Sequence, residues 1–249
     1  MEEHGLFRRR RLPHWDLPAA TYFVTACLAG SIPAEGLLDL AGYRARLAKM
    51  PAPRRVPKKK WDDVRWKRVF ARSDWWLDHH SAVRHFADPD LAASVVDAIY
   101  HWAGRRYDVL AYVVMPSHLH WVFRPRDEAE NVEQVADLLR KGERVSDLFH
   151  ESAKTRSARE RIMHTLKSHT GLECNKRLGH CGALWQDESY DHCVRDEDEL
   201  ERIIEYVEFN PVQAGLVTTP AQWRFSSAHD RAEFGIPEGS PLLRPGRPD

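Results

Sequence analysis

The chain has 249 residues, 43% of them hydrophobic, and its 37 lysines and arginines balance its 37 aspartates and glutamates. That length buries a core, as one large domain or a smaller one carrying an insertion, and the neutral balance leaves any nucleic-acid surface to local clustering of charge. No run approaches the roughly 18 apolar residues of a membrane span, and the first residues lack the apolar stretch of a secretory signal. Cys27, Cys174, Cys181 and Cys193 have no C-x-x-C spacing and suit the reduced thiols of a cytosol; with His180 and His192 they fit no standard zinc finger.

Arg8, Arg9, Arg10 and Arg11 form a run of cations, followed by His14 and Trp15. Residues 1–20 are therefore expected to be a basic N-terminal arm, either solvated or gripping phosphates with Trp15 available to stack on a base. Thr21–Leu28 is rich in β-branched and aromatic residues and predicts a first buried strand. Residues 31–87 differ from their surroundings: a Pro-and-cation linker from Pro51 to Lys60 precedes Trp61, Trp66, Trp75 and Trp76, interleaved with Arg65, Lys67, Arg68 and Arg72. The stretch reads as a helical insertion packing its tryptophans on the main body, with a nucleic-acid surface as the other reading.

Asp88 suits an N-cap and Pro89 a first helical turn; Leu91, Val95, Val96, Ile99 and Ala103 follow as a helical stripe that Gly104 ends. Tyr107–Met115 and His118–Phe123 are strands close enough to pair as a hairpin. A helix is expected after Asn131, then a polar run from Lys141 to Glu160. A longer helix follows from Arg161 to about Leu178, with Lys167, Lys176 and Arg177 on its polar side. Leu184 to Val194 reads as strand with an irregular middle. Asp196 caps a last helix, with Glu199 at the capping-box position and Leu200, Ile203, Ile204 and Val207 as its buried stripe. Tyr206 lies at the edge of that stripe, Asn210 shares its face, and Pro211 is expected to stop the helix. Proline, glycine and charge after Ala228 predict a flexible tail over 229–249.

The order β-α-β-β-α-β-α is that of an α+β, ferredoxin-like (RRM-like) fold, an antiparallel sheet with helices on one face. One domain would span 21–228, with the insertion in a loop between the first strand and first helix. Its centre is Tyr112–Phe123, where an apolar run breaks at Met115-Pro116-Ser117 and resumes with His118-Leu119-His120. On a strand the two imidazoles face one way and Leu119 the other, which makes a ready pair of metal ligands. The plainer reading is one exposed histidine and one bonded in a core.

Met115-Pro116-Ser117-His118-Leu119-His120 resembles the metal-binding motif of HUH single-strand DNA endonucleases, and more closely that of the tyrosine transposases associated with repetitive extragenic palindromes. Leu184-Trp185-Gln186 with Tyr190-Asp191-His192, the stretch from Tyr206 to Val217, Arg10–Trp15 with Thr21–Thr25, and Trp223–Ser227 are similar to the family's other motifs, in the family's order over most of residues 8–228. The resemblance implies a metal-dependent cut in single-stranded DNA near a hairpin, leaving a 5′-phosphotyrosine. By position, Tyr206 would be the nucleophile, with Tyr190 its rival. His118 and His120 would bind the metal, Mg²⁺ or Mn²⁺, and Asn210 would be the third, amide-bearing ligand. Arg8, Arg9, Arg10, Arg11, His14, Trp15, Lys167, Lys176 and Arg177 would contact DNA. The partner would be single-stranded DNA with palindromic hairpins, met by a monomer or homodimer at the nucleoid of a bacterial cytoplasm, with no membrane involved. Ser117 stands where the family commonly has asparagine, a departure expected to affect only the turn. The competing class is a non-catalytic nucleic-acid-binding module, which would stack bases on an open sheet face without needing Tyr206 or the histidines.

Overall fold

The computed structural model describes residues 6–9, 13–16, 20–126 and 156–243. The basic arm has the backbone of a hairpin: β1 (Leu6–Arg9) pairs antiparallel with β2 (Pro13–Asp16), and Arg8 lies opposite His14. Arg10 and Arg11 lie outside the described residues, as does the helix expected after Asn131.

Four strands make the main sheet: β3 (Tyr22–Cys27), β4 (Tyr107–Val114), β5 (His118–Pro125) and β6 (Tyr190–Cys193). They are ordered β4-β5-β3-β6 with every neighbour antiparallel, the ferredoxin-like arrangement. Alternation sorts their side chains. Tyr22, Val24, Ala26, Leu119, Trp121 and Phe123 enter one core, and Phe23, Val113, Met115 and Val122 enter another on the opposite face. Each fully buried valine, leucine, phenylalanine or methionine among them stabilises the fold by about 1.5–3 kcal/mol. A bulge at Leu110 breaks the alternation, so that Leu110 and Ala111 both join the second core.

The first face carries the two helices that the ferredoxin-like pattern calls for. α1 (Ala34–Lys49) and α2 (Lys58–His80) come earlier in the chain and form the insertion; α3 (Pro89–His101) and α4 (Ala158–Leu178) are the sheet's own helices. The side chain of Asp88 accepts from Asp90 N at 2.9 Å, and Leu91, Val95, Val96 and Ile99 are buried, as the stripe required. α4 starts three residues before the expected Arg161 because Ser157 and Glu160 cap it reciprocally, Ser157 Oγ accepting from Glu160 N and Glu160 Oε2 from Ser157 N.

The opposite face is not open. α5 (Glu197–Gln213) lays Leu200, Ile204 and Val207 on it, and α2 of the insertion brings Phe70. Pro211 does not end α5 at Asn210. It sits in the last turn, where a missing N–H removes few bonds, and its ring is buried. Within the insertion, Trp61 and Trp76 are buried while Trp66 and Trp75 are exposed. Gly36 lets α1 close on α2: a Cβ there would stand 2.9 Å from both Ile32 and Trp76.

The segment after Ala228 is not a flexible tail as far as it is described. α6 (Ser227–Phe234) follows Ser226, and the chain then returns to the sheet, where Leu242 N donates to Val109 O at 2.7 Å and the Leu242 side chain is fully buried. Composition hid this because polar residues do much of the anchoring: Asp230 accepts from Tyr100 and Tyr112, and Arg231 donates to Leu110 O and Glu208. Gly104, at φ +75°, is pressed by Leu243, which leaves 2.8 Å for any Cβ. Along the β4 edge, Val114 N donates to Phe225 O at 2.8 Å and Trp223 Nε1 to Val114 O at 3.0 Å. Among the described residues no helix is long and apolar enough to cross a membrane.

Candidate metal centre

β5 aims His118 and His120 at the face covered by α2 and α5, opposite Cys27 and Thr25 of β3. Both rings are fully buried, and their Nε2 atoms stand 3.1 Å apart. Ser117 Oγ donates its one hydrogen to Leu77 O of α2 at 3.0 Å, so toward His118 Nδ1, also at 3.0 Å, it acts as acceptor. His118 therefore carries its proton on Nδ1 and offers an Nε2 lone pair. Burial, and next the His120 ring, push the His118 imidazole down to about 3, which keeps it neutral. His120 Nδ1 meets Thr25 Oγ1 at 2.8 Å.

The third member comes from the insertion. Asp74 of α2 sets Oδ1 3.1 Å from His120 Nε2 and 3.7 Å from His118 Nε2. A carboxylate oxygen and the two ring nitrogens all lie within 4.8 Å of one another, and Asp74 Oδ1 is buried with no hydrogen-bond partner. Two imidazole nitrogens and a carboxylate oxygen, converging out of water, are a donor set that fits a divalent cation. Burial raises the Asp74 carboxyl, but the His120 and His118 rings and the Tyr206 hydroxyl outweigh it and hold it at about 2.

Tyr206 lies half-buried on α5, its ring edge-on to Phe23 and Phe70, and donates its hydroxyl to Asp74 Oδ2. Burial, then the negative charge of Asp74, push this phenol well above 10. Asn210, one turn on and fully buried, reaches the same Oδ2 with Nδ2 at 3.3 Å. The amide oxygen expected as third ligand, Asn210 Oδ1, is buried with no hydrogen-bond partner, like Asp74 Oδ1. Tyr190 stacks on Phe70 at 4.4 Å and meets Phe23 edge-on at 6.2 Å, the same two rings that flank Tyr206.

Asp78, one turn after Asp74, places Oδ1 3.8 Å from His118 Nε2, buried and without a hydrogen-bond partner. Burial, then the Asp74 charge, push its carboxyl from 3.8 up to about 8. A carboxyl raised on folding favours the folded state least where the unfolded group has ionised and the folded one must follow. Asp78→Asn is therefore expected to stabilise the metal-free protein at pH 8 and above and to leave it nearly unchanged at pH 4, the gain growing between those values. Thermal unfolding in chelator across that range measures it; equal shifts at both ends would refute the assignment.

The remaining candidates separate. Lys167 is not a solvent-facing phosphate contact: its Nζ donates to Gln186 O at 2.7 Å and Asp187 O at 3.2 Å, and burial lowers it to about 8. Lys176 and Arg177 are exposed at the end of α4. Ser117 does more than shape the turn, since it ties His118 to α2. Asp74 and Asp78 were missed because α2 shows mainly tryptophan and cation to a reader; the available signal was Phe70, Asp74, Leu77 and Asp78 on one helical face.

No family model matches the chain. A Haemophilus influenzae protein assigned as a REP-associated tyrosine transposase is 23% identical over 143 residues, 55% of this chain and 70% of that one. The REP-associated tyrosine transposase of Escherichia coli is 24% identical over 134 residues, 53% of this chain and 61% of its own length. Over about half its length the chain is thus similar in sequence to REP-associated tyrosine transposases. The matched region spans about two thirds of the length of these relatives. A solved structure of a REP-associated tyrosine transposase bound to a REP hairpin aligns over 96% of this chain and 91% of that one, with a TM-score of 0.46 and 15% identity.

Proposed function

We propose that this chain is a metal-dependent strand transferase that cuts single-stranded DNA near hairpins and holds the 5′ end on Tyr206. The observation that carries the reading is the shared carboxylate: Asp74 meets the Tyr206 hydroxyl through one oxygen and the His118–His120 pair through the other. Nucleophile and donor set meet within one chain, so no second copy is needed to complete the site.

In this reading His118, His120 and Asp74 hold the divalent ion, which, when bound, polarises the scissile phosphate and stabilises charge developing on the leaving oxygen. Tyr206 Oη attacks phosphorus, the bond to the 3′ oxygen breaks, and that oxygen departs as a 3′-hydroxyl after taking a proton. The phenol's own proton moves to Asp74 Oδ2, which already accepts it. Asn210 holds Asp74 in place, and Phe23 and Phe70 fix the phenol ring. The phosphotyrosine conserves the phosphodiester's energy, so the 3′-hydroxyl of a second strand displaces Tyr206 without ATP. Arg8, Arg9, Arg10, Arg11, His14, Trp15, Lys176 and Arg177 remain candidates for DNA contact.

A non-catalytic binding module finds less support. Such a module stacks bases on an exposed sheet face, and here that face lies under α2 and α5. The test is a labelled hairpin oligonucleotide incubated with the protein and Mn²⁺ or Mg²⁺. A covalent adduct is expected, and His120→Ala should abolish it while leaving the oligonucleotide bound. Persistent cleavage by His120→Ala at low metal concentration would reject the ligand set.

A further inference from the structure

The neutral total charge conceals a strong asymmetry. Residues 34–80 hold twelve lysines and arginines against six aspartates and glutamates, a net +6, and the rest of the chain sums to −6. Two of those six acids, Asp74 and Asp78, are turned into the metal centre, so the outer surface of the α1–α2 hairpin is more cationic still.

On that surface α1 and α2 enclose a groove of about 390 Å³, lined by Tyr43, Arg68, Ala71, Arg72 and Trp75. Trp75 is 44% exposed to solvent, its indole stacked on His79 at 5.5 Å. Arg72 is fixed flat, its Nε and a terminal nitrogen donating to the two oxygens of Asp39 at 2.5 and 2.7 Å while its guanidinium covers the Tyr43 ring at 5.2 Å. Arg68 is exposed beside it, over the Trp61 ring at 5.5 Å. The groove therefore joins a part-exposed indole, a tyrosine ring flanked by the guanidiniums of Arg46 and Arg72, and the exposed guanidinium of Arg68 within one electropositive hairpin. An aromatic face for a base and an exposed cation for its phosphate are the combination by which single strands are held without sequence reading.

We propose that this groove is a binding subsite for a nucleotide of single-stranded DNA, next to the reacting centre. This rests on the strand-transferase reading above. Trp75 directly follows Asp74, so the groove and the metal centre lie on different faces of the same helical turn. A helix about 10–12 Å across separates them, a distance that one or two nucleotides of an extended strand cover.

The test uses the full chain in chelator, so that nothing is cut, and reads fluorescence anisotropy of fluorescein-labelled oligothymidylate of about ten nucleotides. Arg68→Ala with Trp75→Ala should weaken binding roughly 5- to 150-fold. Arg68→Ala alone should reduce the slope of log affinity against log salt by about 0.7. Arg68→Glu, which leaves the indole in place, gives the same direction if the double variant misfolds. Unchanged affinity in variants with native circular dichroism overturns the subsite. Loss seen with oligouridylate but not oligothymidylate assigns the groove to RNA and overturns the DNA assignment. The two readings fail separately: binding that depends on Trp75 without any adduct removes the transferase alone, and adduct formation with affinity unmoved removes the groove alone.

Discussion

Tyr206→Phe is expected to lose the covalent adduct with hairpin DNA completely, a drop of at least about a thousandfold in the rate of adduct formation. Only the oxygen is removed. The ring keeps its place between Phe23 and Phe70, and the histidines and Asp74 remain. Oligonucleotide affinity in chelator should therefore be unchanged, which separates loss of chemistry from loss of binding. Asp74 Oδ2 keeps only the longer bond from Asn210, so the variant should be less stable by about 1–3 kcal/mol. For a chain of this size that lowers the unfolding midpoint by roughly 2–4 °C per kcal/mol. An adduct of normal yield in Tyr206→Phe moves the nucleophile elsewhere, with Tyr190 the next residue to test.

The second large effect concerns the third ligand, a position for which Asp74 now stands beside the amide of Asn210. Asp74→Asn is expected to weaken Mn²⁺ binding, measured by calorimetric titration, beyond the roughly 100-fold that changes outside the ligand shell reach. Asn210→Ala, acting through Asp74, should stay within about 10- to 100-fold. Wild-type protein saturated with Mn²⁺ at about a hundred times its dissociation constant should gain about 2.7 kcal/mol of stability, and Asp74→Asn should lose most of that gain. If Asn210→Ala proves the more damaging change, the amide is a direct ligand and Asp74 only a neighbour.

The contrast explains what a reader of the chain alone could reach. The hairpin of β4 and β5, the capped α3 and the stripe of α5 each follow from local pattern: alternation, an aspartate before a proline, leucines and isoleucines at helical spacing. His118 and His120 are two residues apart on one strand, and Tyr206 and Asn210 four apart on one helix, so each pair was visible as a unit. Asp74 and Tyr206 are 132 residues apart, joined by a helix whose composition advertised packing and charge. No local rule places a carboxylate of an insertion over a distant strand; only the docking of α2 on the sheet does. Pro211 and the segment around Leu242 failed for the converse reason, because strong local signals for an ending were overridden by burial.

The serine before the histidines has a wider consequence. Its hydroxyl points at Leu77 O of α2, and that choice fixes which nitrogen of His118 is protonated. Any displacement of α2 removes the acceptor, frees the hydroxyl to turn, and loosens the tautomer that leaves Nε2 open. The helix position and the ion's affinity are then two faces of one equilibrium: ion binding must favour the docked helix by the same factor by which docking favours the ion.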